Sequence, residues 1–315
     1  MASLTILNIR HRAASLALLA TVILTTFKIV VGVVSGSAAV FSEGLHSFLD
    51  LVSAAISFFT VREAGKPADE YHPFGHGKIE TVSSLFESML LLSAAGMMVY
   101  EGAEHLSHPQ PLQYQGLAVG AIVFSMVVSF IMYRHNLSAA AAVESNALQT
   151  NALHFLADVM ASLAVILGLI VIHFTGWLWV DSAMAFAVAA YILIVSAKQV
   201  KTAMLELLDA QLPTGEVVRI RTVLESFKDR GIYTHDLRTR RSGATRHIDF
   251  HLVCCGKMTV NESHAVCDEM EEKLGHVFAN ASVNIHVEPC EHVTPDCHLT
   301  CDIFAARKNF TKESK

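Results

Sequence analysis

The sequence predicts a membrane α-helical domain of six transmembrane helices followed by a small cytosolic α+β, ferredoxin-like (αββαβ) domain. Three observations carry this. The 315-residue chain is 52% hydrophobic and only 17% charged, where soluble proteins are about a quarter charged. Its apolar residues crowd into runs of about 20, the length that crosses the hydrocarbon core. After Leu212-Pro213 the composition becomes that of a soluble domain.

Six apolar runs can be drawn, at 14–35, 38–61, 82–104, 114–133, 147–173 and 178–199. Arg10 and Arg12 ahead of the first run resemble the start of a signal peptide, but the run resumes past Lys28 and is too long for one. Charge alternates between the connections. Arg62, Lys66 and Lys78 follow the second run, Arg134 the fourth, and Lys198 and Lys201 close the sixth, while 35–37, 105–113 and 175–181 carry no Lys or Arg. The positive-inside rule then places both termini in the cytosol, which makes the chain a multi-pass protein of the cytoplasmic membrane.

In the soluble part, Glu216–Phe227 reads as an amphipathic helix, and Thr234–Arg241 and Arg246–Cys254 as strands. The second strand alternates as Ile248, Phe250, Leu252. Asn261–Val277 reads as a helix opened by Asn-Glu-Ser, and Val283–Val287 as a short strand. The expected domains are 1–207 in the membrane, 208–290 in the cytosol, and a polar tail over 291–315. All six cysteines lie at or after Cys254. Their spacing is not that of a secreted disulfide framework, which fits a reducing compartment. Cys254, Cys255 and Cys267 read as small buried residues. Cys290, Cys297 and Cys301 near or in the tail do not have zinc-finger spacing. The net charge of −6 argues against a nucleic-acid partner.

The chemistry concentrates in two pairs, His46–Asp50 and His154–Asp158, each a His-x-x-x-Asp inside an apolar run. Four-residue spacing puts both members of a pair on one helix face. Ionisable groups inside a membrane are costly and mark functional sites. Two imidazoles and two carboxylates form a tetrahedral set suited to Zn²⁺, whereas Mg²⁺ and Ca²⁺ prefer oxygen shells. A helix-to-helix hydrogen bond would explain one such pair; two matching pairs in antiparallel helices point to a shared cation. Glu43 and Lys28 read as an ion pair at comparable depth. The string His72-Pro73-Phe74-Gly75-His76-Gly77-Lys78-Ile79 is not a phosphate loop, which needs Gly at His72 and Ser or Thr at Ile79. No nucleotide motif and no His-Glu-x-x-His metalloprotease motif occurs.

Three strings carry a family resemblance: Lys66-Pro67-Ala68-Asp69-Glu70-Tyr71-His72-Pro73-Phe74-Gly75-His76-Gly77-Lys78-Ile79-Glu80, Leu153-His154-Phe155-Leu156-Ala157-Asp158-Val159-Met160, and His235-Asp236-Leu237-Arg238-Thr239-Arg240-Arg241-Ser242-Gly243. On these, from about residue 13 to 290, the chain resembles the cation diffusion facilitator family and its bacterial zinc and ferrous-iron efflux branch. The resemblance implies a homodimeric antiporter, not an enzyme, that expels a divalent cation in exchange for protons. Its expected cargo is Zn²⁺, with Fe²⁺, Cd²⁺, Co²⁺ or Mn²⁺ open to the same mechanism, as is a metal-sensing or assembly role with little transport. It implies that His46, Asp50, His154 and Asp158 form the transport site, and that Asp69, His72 and His76 bind metal in a cytosolic loop. It further implies a binuclear centre at His235, His251, His264, His286 and Glu288, and a Lys78–Asp209 salt bridge linking the subunits. The branch has Asp where this chain has His46, and His resembles the zinc-selective members. The family also has Asp where this chain has Glu288, a longer arm.

Overall fold

The computed structural model describes residues 2–35, 38–107, 116–177, 179–228, 232–278 and 280–290. The chain divides into two units, Met1–Leu207 and Leu208–Lys315.

The first unit consists of α1 (Ala2–Ser35), α2 (Ala38–Ala64), α3 (Gly77–Ser107), α4 (Gly116–Val143), α5 (Asn146–Thr175) and α6 (Trp179–Leu207). Among the described residues, five helices are long and apolar enough to cross a membrane, namely α1, α3, α4, α5 and α6. Large apolar side chains point outward, such as Val34 at 75% and Ile194 at 71% exposed. Water would penalise such a surface, whereas lipid solvates it. Where α1, α2, α4 and α5 approach, the contact is built from Ala13, Ala14, Ala139, Ala140 and Ala147 around Val61, Val143 and Leu148. Small side chains let the backbones come close, so that dispersion contacts hold helices that hydrophobicity alone cannot drive together in lipid.

A buried polar network ties the helices at one end of this unit, where α1, α3 and α5 begin and α6 stops. Glu80, 1% exposed, lies 3.6 Å from Arg10 and accepts from the Ser145 hydroxyl and the Ala147 N–H. Arg10 also donates to the Val143 carbonyl at 2.9 Å. Glu206 accepts from Thr81 and Asn146, both at 2.7 Å. Thr150 bonds Ser84 at 2.6 Å and accepts from Gln199 at 3.1 Å. Ser145 caps α5 by accepting from Leu148 N–H, and Gly176, left-handed at φ 71°, closes the other end. The start of α5 is therefore held by α1, α3 and α6, which fixes the height of the residues it carries.

The second unit runs α7 (Thr214–Glu225), β1 (Tyr233–Ser242), β2 (Thr245–Cys254), α8 (Val260–Val277) and β3 (Ala281–Pro289). Its sheet has the order β1-β2-β3, with β1 antiparallel and β3 parallel to β2. The parallel pair needs a crossover, which α8 supplies. Ile248, Phe250 and Leu252 all face the core and are joined there by Ile220, Leu224 and Phe227 around α7 and by Met270 and Leu274 from α8. The alternation read from sequence is this buried face. The expected αββαβ order is present, but β2 and β3 are hydrogen-bonded neighbours. A ferredoxin-like split βαβ unit would hold another strand between them, so that part of the expectation is corrected. The start of α8 is corrected too: Thr259, two residues before Asn261, is the N-cap and forms a reciprocal capping box with Glu262. Cys254, Cys255 and Cys267 are buried and free. Cys297 and Cys301 lie outside the described residues.

Arg246, 5% exposed, binds Glu216 through Nε and Nη2, the latter at 3.3 Å, and lies over the Phe278 ring. This pair fastens the first turn of α7 to the start of β2. Glu216→Ala removes the carboxylate that faces the buried guanidinium. Urea unfolding of the 208–290 segment should show a loss of about 3 kcal/mol; a change under about 0.5 kcal/mol, typical of surface sites, contradicts the assignment.

Candidate metal centres

Three groups of His, Asp and Glu place ligand atoms within 4.8 Å of one another: Asp50, His154 and Asp158; Asp69, His72 and His76; and His235, His251 and Glu288.

The first group lies inside the helical unit. Asp50 comes from α2, and His154 and Asp158 from one face of α5, about two to three turns from the clamped end. His154 Nε2 stands 2.9 Å from Asp50 Oδ1, a hydrogen bond that joins the two helices. All three side chains are only partly exposed. His46 lies on α2 one turn before Asp50, and its side chain falls outside the described ones, as does that of Glu43. Lys28, expected to pair with Glu43, donates to Ser47 Oγ at 3.2 Å.

The second group is formed by the connection between α2 and α3. Asp69 Oδ1 accepts from the N–H groups of Tyr71 at 3.0 Å and His72 at 2.7 Å, an Asx-type turn. Gly75, at φ 80°, allows the tight return in which its N–H reaches the His72 carbonyl at 2.9 Å. The loop so folded brings the His72 and His76 rings to 4.5 Å between centroids, tilted by 47°, and sets His76 Nε2 3.4 Å from Asp69 Oδ2. The backbone N–H of His72, chiefly, holds the Asp69 carboxyl below the usual carboxylate range. Among the described residues, the His76 Nδ1 atom is buried with no hydrogen-bond partner.

The third group follows from strand register. His235 pairs across with His251, and His251 with His286, so the three imidazoles form one row across the sheet. Their rings are 5.0 and 4.9 Å apart. Glu288, two residues past His286 and on the same face, is the hub. Its carboxylate is 2.9 Å from His235 Nε2, 2.9 Å from His251 Nδ1 and 3.7 Å from His286 Nε2. The His235 bond, chiefly, draws the Glu288 carboxyl below its ordinary range. His264 is not brought into this group. It lies on α8, exposed beside Asp268 at 3.6 Å, and α8 packs with Phe250 and Leu252, the sheet face opposite His251. Asp209, expected to pair with Lys78, is 3.6 Å from Arg240 within its own unit; Lys78 is in the first turn of α3.

A cation fits the third group by donor chemistry. His251 Nδ1, a buried atom, faces a Glu288 carboxylate oxygen 2.9 Å away. Two electron-pair donors facing each other in this way are suited to sharing a divalent cation. Because the Glu288 pKa is depressed, its contacts stabilise the unit above the ordinary glutamate pKa of about 4.3, and that contribution is lost as pH falls through the lowered value. In metal-free buffer, Glu288→Gln should therefore flatten the loss of thermal stability below about pH 4.3. An acid limb identical to that of the wild-type chain contradicts this.

Two family models cover most of the chain. Residues 14–208 match the cation efflux transmembrane domain, and residues 212–290 match the cytoplasmic domain of cation efflux proteins. The cation-efflux pump FieF of Shewanella oneidensis is 32% identical over 89% of this chain and 94% of its own length. The pump of that name from Yersinia enterocolitica is 32% identical over 92% of this chain and 96% of its own. The solved structure of CzrB in its zinc form aligns with 27% of this chain and 96% of its own, at 41% identity and a TM-score of 0.25. The protein therefore belongs to the cation efflux, or cation diffusion facilitator, family: it is a multi-pass membrane transporter with a cytoplasmic domain, and not an enzyme.

Proposed function

We propose that this protein exports Zn²⁺ from the cytosol in exchange for protons. The observation that carries this reading is the meeting of Asp50, His154 and Asp158 among apolar helices, with His46 one helical turn from Asp50. Two imidazoles and two carboxylates suit tetrahedral Zn²⁺. The 2.9 Å bond between His154 Nε2 and Asp50 Oδ1 is held by one proton, and both atoms are ligand atoms. Cation and proton then compete for the same electron pairs: loading releases the proton, and proton entry expels the cation. Imidazole suits this exchange because its charge changes near neutral pH.

In this reading α2 is the sixth span. The alternation of Lys and Arg between connections supports cytosolic termini in the cytoplasmic membrane. Asp69, His72 and His76 form a loop site near the cytosolic mouth. His235, His251, His286 and Glu288 hold a structural or regulatory Zn²⁺, and His264, facing away from this cluster in its own chain, is left without a role there. The working unit is a homodimer, in which Lys78 and Asp209 meet between subunits.

Asp50→Ala or Asp158→Ala should abolish zinc flux into proteoliposomes while leaving thermal stability of the chain within a few degrees of wild type; near-normal flux in either variant overturns the site. Replacing the His46 nitrogen ligand by an oxygen, in His46→Asp, should raise the ratio of Cd²⁺ to Zn²⁺ flux. An unchanged ratio removes residue 46 from metal selection.

A further inference from the structure

Glu87 stands on α3 two turns past Glu80 and is 2% exposed. The contacts between α3 and α5 set its depth. Glu80 meets Ser145 and Ala147, and Ser84 meets Thr150. The two helices therefore run side by side with an offset of 65 to 67 residues, which puts residue 87 level with Leu153 and His154. A helical side chain leans toward the start of its helix, here the clamped end. In agreement, Ser83, one turn earlier, donates to Glu87 Oε1 at 2.9 Å. The carboxylate thus lies on the clamped-end side of His154 and within its electrostatic reach.

Two more oxygens belong to the same region. Ser57, 2% exposed, follows Asp50 by two turns on one face of α2, toward the clamped end. It lies beside the Glu87 carboxylate. Asn151, 5% exposed, precedes His154 by one turn and Asp158 by two on the face they share. By the α3–α5 offset it is level with residue 85, between Ser83 and Glu87. Among the described residues, Glu87 Oε2, Ser57 Oγ and Asn151 Oδ1 are all buried without meeting hydrogen-bond geometry to any partner. Buried polar atoms are paired with few exceptions, and an unpaired one calls for a reason such as an ion or water. Three such oxygens, one from each of the helices that carry or flank the candidate site, call for a common reason. Packing does not supply one, since an apolar side chain would fill the place of Glu87 without bringing an ionisable group into the membrane. We propose that Glu87, with Ser57 and Asn151, forms an oxygen-lined station for a partly hydrated divalent cation between the clamped end and the Asp50, His154 and Asp158 group. Oxygen donors suit a cation that keeps part of its water, whereas imidazole suits Zn²⁺. The station therefore passes the ion on to His154 instead of retaining it. Its part in export rests on the transport reading above, whereas its binding of a cation does not.

The test uses the full chain in detergent with Asp50→Ala, Asp69→Ala and Glu288→Ala, which disable the three groups described above. The probe is Mn²⁺, an ion suited to oxygen ligands, counted by electron paramagnetic resonance. One weak Mn²⁺ site should remain. Adding Glu87→Gln, which keeps an oxygen for Ser83 and removes only the charge, should abolish it. Adding Ser57→Ala instead, which keeps the charge, should weaken it severalfold. Equal Mn²⁺ binding with and without Glu87→Gln overturns the inference, as does a chain that binds no Mn²⁺ before that change. If Glu87→Gln unfolds the chain, Ser57→Ala decides, and unchanged Mn²⁺ affinity there overturns the inference. In proteoliposomes, Glu87→Gln alone should slow zinc uptake at low zinc by about tenfold, the loss of a focusing charge on the ion's path; unchanged uptake removes Glu87 from that path. Failure of the transport reading looks different: zinc flux that survives Asp50→Ala, while the Mn²⁺ count, which needs no flux, still decides the station.

Discussion

The hydrogen bond between His154 on α5 and Asp50 on α2 is the constraint that fixes the geometry of the candidate site in the membrane unit. A carboxylate in hydrocarbon is costly unless it is paired, and this pairing requires α2 and α5 to meet at one depth. The remaining architecture serves that meeting. Ala13, Ala14, Ala140 and Ala147 let α1, α4 and α5 pack closely, and the buried Arg10–Glu80 pair with Ser145 and Ala147 fixes where α5 begins. Because α5 is rigid, fixing its first turn also fixes His154 and Asp158 beyond it.

The cytoplasmic unit reaches a similar arrangement by different means. In the helices, ligands share a face because four residues make about one turn. In the sheet they share a face because strand register aligns His235, His251 and His286 in a row. Glu288 follows at period two and binds the row together. One face of the sheet is given over to Ile248, Phe250, Leu252 and the two helices. The other is left for polar chemistry, and this separation excludes His264 from the cluster in its own chain.

Much of this is readable from residues alone, for definite reasons. The alternation of Ile248, Phe250 and Leu252 and the length of the apolar runs follow directly from burial on one face or on all sides. The spacing of His154 and Asp158 follows from helical geometry. What local pattern cannot show is what depends on distant partners. The capping box at Thr259 lies two residues ahead of the polar string Asn261-Glu262-Ser263. Adjacency of β2 and β3 depends on which strands pair, not on their order in the chain. The roles of Glu80 and Arg10 depend on contacts between helices far apart in sequence.

The central claim is that one set of atoms at Asp50, His154 and Asp158 binds a proton or a cation, but not both. It is tested most directly by recording zinc and proton movement together in proteoliposomes that contain the wild-type chain. An imposed zinc gradient should drive protons in the opposite direction in fixed proportion to zinc moved, and an opposing pH gradient should slow or reverse the zinc flux. Zinc flux that ignores the pH gradient and moves no protons would contradict the account.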